Sequence, residues 1–177
     1  MTHDAPHVAT DDGTGAGRGA APLRQRRAAA RLRAVQALYQ RAMTGAAVEA
    51  LLAEFHAHRL EAGAHDEEEA ALPPPESSFF DDLVAGVAAR EAELDRLIAG
   101  YLAEGWTLAR LDPLLLQLLR AGTYELVARP DVPLAAVIAA YVDVAHAFFP
   151  REQTGFVNAL LDRVGHAVRG GSARGAV

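Results

Sequence analysis

Seven arginines lie between residues 18 and 41, and no acidic residue interrupts them. Residues 1–44 hold seven Arg against three Asp, whereas residues 45–177 hold ten Arg against 20 acids, so the net charges are +4 and -10. A guanidinium group is permanently charged, and its fork of donors matches phosphate oxygens. This distribution predicts a surface that holds a nucleic-acid strand at one place and repels it elsewhere.

The spacing of these arginines on a helix indicates which of them could reach a ligand. At 100° per residue, Arg24, Arg27 and Arg31 share one face, and that face continues into apolar residues over 35–39. One face cannot hold both core and guanidinium groups at the same level of a bundle. We therefore expect the first two turns to overhang the core and to leave these three arginines free, with Arg26 and Arg33 pointing to solvent on the other side. The alternative is an ordinary solvated helix start, although the helix dipole disfavours cations there.

The residue inventory argues against an enzyme. The chain has no Cys, which excludes disulfides, Cys-ligated metals and Cys nucleophiles, and Ser occurs at three positions only. His56 and His58 are two residues apart and point to different faces of a helix, whereas metal pairs on helices need a spacing of three or four. No nucleophile and base occur together, and no cofactor loop is present. We expect no catalytic residue, no metal and no cofactor.

The apolar pattern predicts an all-α fold. Apolar residues make up 51% of the chain, mostly Leu and Ala, and no segment alternates like a strand. Ser77 and Ser78 are predicted to cap a helix, and Asp112 followed by Pro113 is typical of another helix start. The helix after Pro113 is apolar almost all round, so it should be central. We expect a compact bundle of about seven helices, with helical segments at 23–43, 46–60, 77–101, from 113, 134–148 and around 156–164.

Three stretches are predicted to lie outside the packed bundle. Residues 1–22 form a disordered leader, residues 61–76 an acidic and Pro-rich solvated linker, and residues 169–177 a flexible tail. The helical domain then spans residues 23–168. No apolar stretch nears the roughly 18 residues that a membrane span needs, and the chain start lacks the apolar core of a secretory signal. We expect a soluble cytoplasmic protein without membrane contact.

Five short motifs follow one another between residues 24 and 168. They are Arg26-Arg27-Ala-Ala-Ala-Arg31-Leu-Arg33-Ala-Val-Gln-Ala-Leu38-Tyr39, Leu83-Val-Ala-Gly86-Val, Leu118-Leu-Arg120-Ala-Gly-Thr-Tyr124-Glu125-Leu126, Arg129-Pro-Asp131-Val-Pro133 and Phe156-Val157-Asn158-Ala-Leu-Leu161-Asp162-Arg163. In this order they resemble the motifs of the NusB family of transcription antitermination factors. Each motif alone is weak, but five in register are a specific match.

The resemblance implies a fold of two helical subdomains. It also implies binding to the boxA element of nascent ribosomal RNA, jointly with the small-subunit ribosomal protein NusE, within the RNA polymerase elongation complex. Matched motif by motif, the family's partner-binding acid corresponds to Glu152. The RNA-binding residues correspond to Arg24, Arg26, Arg27, Arg31, Tyr39, Arg120 and Phe156.

The residues leave some of these roles open. Tyr39 and Phe156 lie on apolar helical faces, so each is either a core aromatic or a base-stacking one. Arg120 lies in an apolar helix and needs a carboxylate partner, with Glu125 and Asp162 as candidates. We expect RNA to bind in a groove between the first and last helices.

Polar positions of the family are apolar or small in this chain, which permits a second class of function. A polar pair at the start of the fourth predicted helix is Leu115-Leu116, an Asn-Glu pair is Ala139-Ala140, and a Lys is Gly155. A helical protein–protein adaptor of the elongation complex, with weak or no RNA binding of its own, is therefore the alternative. A third class, the RNA-guiding domain of an rRNA methyltransferase, would need a Gly-rich cofactor loop that we do not find.

Overall fold

The structure, a computed structural model, describes residues 21–58, 60 and 72–170. These residues form seven α-helices and one short 3-10 turn, and no strand occurs among them, so the predicted all-α fold is confirmed. The elements are α1 (Leu23–Thr44), α2 (Val48–His58), α3 (Ser77–Ala89), α4 (Glu91–Ala99), the 3-10 turn (Leu108–Arg110), α5 (Pro113–Ala128), α6 (Leu134–His146) and α7 (Arg151–Gly170).

Helix α5 is the centre of the bundle. It packs against α1, α3, α4, α6 and α7, so helices from both the N-terminal and the C-terminal part of the described chain meet on it. Every residue from Gln117 to Leu126 is buried. The predicted central helix is therefore confirmed, because a helix that is apolar almost all round is stable only where neighbours cover every face.

Local signals explain where α5 starts but not where α3 starts. The Asp112 Oδ1 atom accepts hydrogen bonds from the backbone N–H groups of Leu114 (2.8 Å) and Leu115 (3.1 Å). This cap satisfies donors that have no partner inside the helix. The predicted caps Ser77 and Ser78 are wrong, because Ser77 is the first helical residue and no side chain caps α3.

The predicted single helix over 77–101 is also wrong. It breaks at Arg90, whose backbone (φ -115, ψ 15) lies outside the helical range, and α4 begins at Glu91. The Arg90 guanidinium donates to both Glu93 carboxylate oxygens at 2.8 Å and lies over the Tyr124 ring at 5.9 Å. Val87 and Leu94, on either side of the bend, are both buried, so the apolar face continues through it.

Gly86 allows α3 to approach α5 closely. A Cβ atom at this position would lie 2.1 Å from Cζ of Tyr124. The Tyr124 hydroxyl donates to Asp82 Oδ1 at 3.0 Å, so the hydroxyl end of the ring is held against α3. Two of the five motifs thus meet as a packing pair.

The flanks are more ordered than predicted wherever the structure describes them. Pro75 is buried and Glu76 binds Arg27, whereas Leu72 and Pro74 are exposed, so the last two residues of the predicted linker pack against the bundle. Residues 169 and 170 belong to α7 rather than to a flexible tail, because the Arg169 guanidinium donates to the carbonyls of Leu126, Arg129 and Val132. The leader up to residue 20, residues 61–71 and the tail from residue 171 lie outside the described residues.

Candidate nucleic-acid interface

Arg31 lies inside the bundle, not on an overhang. Only 8% of the residue is exposed, and its Nε and Nη2 atoms donate to Glu125 at 2.9 and 2.6 Å. Burial alone would lower the pKa of Arg31, but the hydrogen bonds and charge of Glu125 raise it above the ordinary value. Burial and the same carboxylate raise the pKa of the neighbouring Tyr141 hydroxyl. The expectation of a free Arg31 is wrong, because a buried carboxylate from α5 lets a guanidinium occupy the core face.

Arg27 is intermediate between core and surface. Its Nε atom donates to Glu76 Oε2 at 2.8 Å, and its guanidinium carbon lies 5.2 Å from the centre of the buried Phe79 ring. Arg31 and Arg129 approach the same ring at 5.1 and 5.6 Å. The hydrogen bond from Arg27 lowers the pKa of Glu76. Arg27 is therefore held in place rather than overhanging freely.

Arg24 and Arg26 form the open end of the basic segment. Arg24 is exposed, Arg26 is half-buried, and neither forms an ion pair with a carboxylate of the described residues. Arg33 does not point to solvent as predicted, since it is 4% exposed and its Nη1 atom donates to Gln36 at 3.2 Å. The first turn of α1 is thus the part of the segment that presents guanidinium groups to a ligand.

A groove of about 690 Å³ runs beside this first turn. Its wall on α1 includes Arg24 and Arg27, and its wall on α6 includes Ala139, Ala140 and Asp143. The binding of RNA between the first and last helices stays a prediction, and the groove described here has α6 rather than α7 as its second wall. The alanines of α6 explain this difference, since their small side chains leave space beside α1.

The two predicted aromatics differ in exposure. Tyr39 is 38% exposed and lies 15 residues after Arg24, about 22 Å along the helix at 1.5 Å per residue. Phe156 is half-buried and packs against the core. Trp106 is 50% exposed, with the Arg110 guanidinium 4.9 Å from its ring centre, and the sequence reasoning missed it. An arginine four residues after the chain's single tryptophan, between two helices, was the available signal.

Arg120 is a structural residue in the interior. It is 8% exposed and donates to both Asp95 oxygens at 2.8 and 2.7 Å, while its Nη1 atom lies 3.0 Å from Glu91. The candidate partners Glu125 and Asp162 are therefore wrong, because the bend before α4 brings Asp95 and Glu91 to α5. Neither Arg31 nor Arg120 is available as a free phosphate donor. Glu152 is exposed in the first turn of α7.

Residues 28–166 match the family model described as the NusB family. The chain belongs to the NusB family. The transcription antitermination protein NusB of Sphingopyxis alaskensis is 54% identical over 145 residues, which cover 82% of this chain and 95% of that protein. The corresponding protein of Novosphingobium aromaticivorans is 55% identical over 143 residues, with 81% and 95% covered. The family resemblance predicted from the five motifs is confirmed.

Solved structures share the fold. The structure of T. maritima NusB matches with a TM-score of 0.63 at 26% identity, over 82% of this chain and 92% of that one. A crystal structure of antitermination factors NusB and NusE in complex with dsRNA matches with a TM-score of 0.65 at 22% identity, over 81% and 98%. The arrangement of helices described above is therefore that of NusB proteins.

Two further observations apply to the described residues. No group of three or more His, Asp or Glu side chains is placed to hold a metal ion. None of the helices combines the length and apolar character that crossing a membrane requires.

Proposed function

We propose that this chain is an RNA-binding transcription antitermination factor. In this proposal it binds the boxA element of nascent ribosomal RNA together with NusE, and it acts within the RNA polymerase elongation complex in the cytoplasm. The closely related proteins are transcription antitermination factors, and one similar structure is a complex of NusB with NusE and RNA.

The observation that supports RNA binding most directly is the unpaired charge at the start of α1. Arg24 and Arg26 form no ion pair with a carboxylate of the described residues, whereas Arg27, Arg31 and Arg41 further along the helix do. Positive charge at a helix N-terminus is unfavourable for the helix itself, so these arginines gain most from an added anion. Phosphates are such anions, and arginine binds them through paired donors.

The groove beside the first turn of α1 indicates the path of the RNA strand. Arg24 and Arg27 lie on the α1 wall, and the carboxylate of Asp143 lies on the α6 wall. Phosphates are attracted to the first wall and repelled from the second, so the strand runs along α1. The apolar surface of Ala139 and Ala140 remains for sugar and base contacts.

Tyr39 is the better placed of the two predicted aromatics for base stacking. Its exposed ring follows Arg24 along the same helix, while Phe156 already packs against the core. Stacking on an exposed aromatic adds about 1–3 kcal/mol per base and tolerates different bases. Because residues 45–177 have a net charge of -10, we expect weak binding by the protein alone and tighter binding when NusE adds basic surface.

The test is a titration of labelled single-stranded RNA that contains boxA, with and without NusE, at about 0.1 M salt. A shuffled RNA of the same length and composition is the control. The proposal predicts that NusE raises the affinity for boxA RNA more than the affinity for the shuffled RNA. Equal affinities for both RNAs in the presence of NusE would contradict the boxA assignment.

The alternative is a protein adaptor with weak or no RNA binding of its own. It is favoured by the internal positions of Arg31 and Arg120, which leave fewer free cations than the sequence suggested. Glu152, exposed on α7, is the proposed contact with NusE. Under the adaptor proposal, Glu152→Gln weakens NusE binding, and no variant of Arg24 or Arg26 changes the affinity of the complex for RNA.

A further inference from the structure

Trp106 lies in the segment between α4 and α5 and is held in a defined turn. Its backbone N–H donates to the Ala103 carbonyl at 3.0 Å, and Gly105 has a φ of 79°, a left-handed conformation that favours glycine. Trp106 is the only tryptophan of the chain, and half of its surface is exposed. The large aromatics that stabilise the core, Phe55 and Phe80, are fully buried, so Trp106 serves a different purpose.

Arg110 fixes the indole from one side. Its guanidinium carbon lies 4.9 Å from the ring centre, and its Nη1 atom donates to the Gly105 carbonyl at 2.8 Å. The structure gives Arg110 no ion pair with any carboxylate of the described residues. The pair is therefore a flat aromatic surface combined with a guanidinium whose charge is not neutralised.

We propose that Trp106 and Arg110 form a second base-stacking site for the RNA strand. A nucleobase stacks on the exposed part of the indole, and the guanidinium binds the adjacent phosphate. This inference rests on the proposed RNA-binding function and adds a contact that the family motifs do not include.

The surroundings favour a nucleotide over a protein surface. Residues 103–105, Thr107 and Ala109 are exposed, and all of them are small or polar. Aromatic hot spots of protein interfaces lie in well-packed surroundings that exclude water, and such a rim is missing here. A single stacked base needs only a flat face and a nearby cation. Glu104 is the one exposed carboxylate of this turn that caps no helix.

The ion pairs place this site beyond one end of α1. Arg31 binds Glu125, and ten residues later Arg41 binds Glu91, which also binds Arg120. Helices α1 and α5 therefore run in opposite directions, and the last turns of α1 point towards the start of α5. Trp106 precedes that start. A strand that begins at Arg24 and passes Tyr39 therefore proceeds towards Trp106.

The single tryptophan makes its own fluorescence a direct measurement. The full chain is titrated with a single-stranded RNA of about 12 nucleotides that contains boxA, and binding is followed in parallel by an electrophoretic shift. We expect RNA to quench the emission at the same concentration that shifts the RNA. Trp106→Ala should weaken binding on the order of tenfold, and Trp106→Phe should restore most of it.

The salt dependence of RNA affinity separates the contribution of stacking by Trp106 from that of the Arg110 charge. Arg110→Ala should lower the slope of log affinity against log salt by about 0.7, whereas Trp106→Ala should leave that slope unchanged. Arg163→Ala, an exposed arginine on α7, is the matched control and should change neither quantity. Circular dichroism of each variant checks that the fold is retained.

The outcomes distinguish this inference from the proposed function. If RNA shifts the wild-type chain but leaves the emission unchanged, and Trp106→Ala binds equally well, RNA binding stands and the second stacking site is wrong. If no RNA binds with or without NusE, both proposals fail. A loss of NusE binding in Trp106→Ala with unchanged RNA affinity would identify a protein contact and overturn the stacking site.

Discussion

Helix α5 and the first turn of α1 both belong to the chain's most distinctive sequence, yet the structure uses their charges in opposite ways. In α5, Arg120 and Glu125 are buried and each has an ionic partner on another helix. At the start of α1, Arg24 and Arg26 lie at the surface without an ion-pair partner in the described part of the chain. Residue type alone therefore does not distinguish a structural from a binding arginine. At Arg31 and Arg120, a carboxylate within reach of the guanidinium makes the difference.

Along helix α1, the arginines change from buried and paired to exposed and without an ion pair. Arg31 is buried in a two-bond pair with Glu125, Arg27 is half-buried in a one-bond pair with Glu76, and Arg24 is exposed. Substitutions should therefore affect stability less, and ligand binding more, from the inner to the outer end.

The largest expected effect is at the inner end of this series. Glu125→Gln leaves the Arg31 charge buried without a counter-charge, and such a loss costs about 3–5 kcal/mol of unfolding free energy. Urea denaturation measures it. The double variant Arg31→Met with Glu125→Leu removes both charges and should recover most of the loss. An unfolding free energy of the single variant within about 1 kcal/mol of the parent would show that the Arg31–Glu125 ion pair does not stabilise the fold.

A second variant tests the packing of α5 without touching charge. Gly86→Ala would place a Cβ atom 2.1 Å from the Tyr124 ring, and such overpacking costs about 1–3 kcal/mol. Gly155→Ala is the matched control, since nothing lies within 4 Å of its Cβ position and alanine favours a helix by about 1 kcal/mol. Thermal unfolding should show a lower midpoint for the first variant and an equal or higher one for the second. The same shift in both would argue against the close approach of α3 to α5.

The Arg27–Glu76 pair, in the middle of this series, predicts a small dependence of stability on pH. The hydrogen bond from Arg27 holds the pKa of Glu76 below its ordinary 4.5, so the ionised carboxylate stabilises the fold. This contribution is complete above that ordinary pKa and is lost as the pH falls through the lower folded value. Glu76→Gln should therefore lower the thermal midpoint slightly at pH 7 and lose less than the parent on acidification. A parallel loss in parent and variant would show that Glu76 does not contribute.

The sequence predicted the fold well because its strongest signals are local or periodic. The apolar periodicity identified the helices, the all-round apolar pattern placed α5 at the centre, and Asp112-Pro113 marked its start. The bend at Arg90 was missed because the apolar period continues through it, and neither Gly nor Pro marks the break in the sequence.

The candidate site was less predictable because ion pairing is not local. Helical geometry correctly placed Arg31 on the core face. Its partner Glu125 is 94 residues away, so the sequence did not reveal the pair, and a helix start that overhangs the core was expected instead. A glutamate and an arginine within one apolar helix did indicate buried ion pairs. The sequence could not show that Glu125 pairs with Arg31 and that Arg120 pairs with Asp95.

The outer end of α1 allows the most direct test of the account. Arg24→Ala with Arg26→Ala should leave the unfolding free energy within about 0.5 kcal/mol of the parent, because neither side chain forms an ion pair with a carboxylate of the described residues. The measurement is the salt dependence of affinity for single-stranded boxA RNA in the presence of NusE. Arg96→Ala with Arg163→Ala, which removes the same charge from other exposed positions, is the control.

Each lost phosphate contact reduces the slope of log affinity against log salt by about 0.7 for a single strand. We expect weaker binding and a slope lower by about 1.4 for the α1 variant, with the control close to the parent. Equal affinity and slope in the α1 variant and the parent would show that the open end of α1 does not hold RNA, and the adaptor function would take its place.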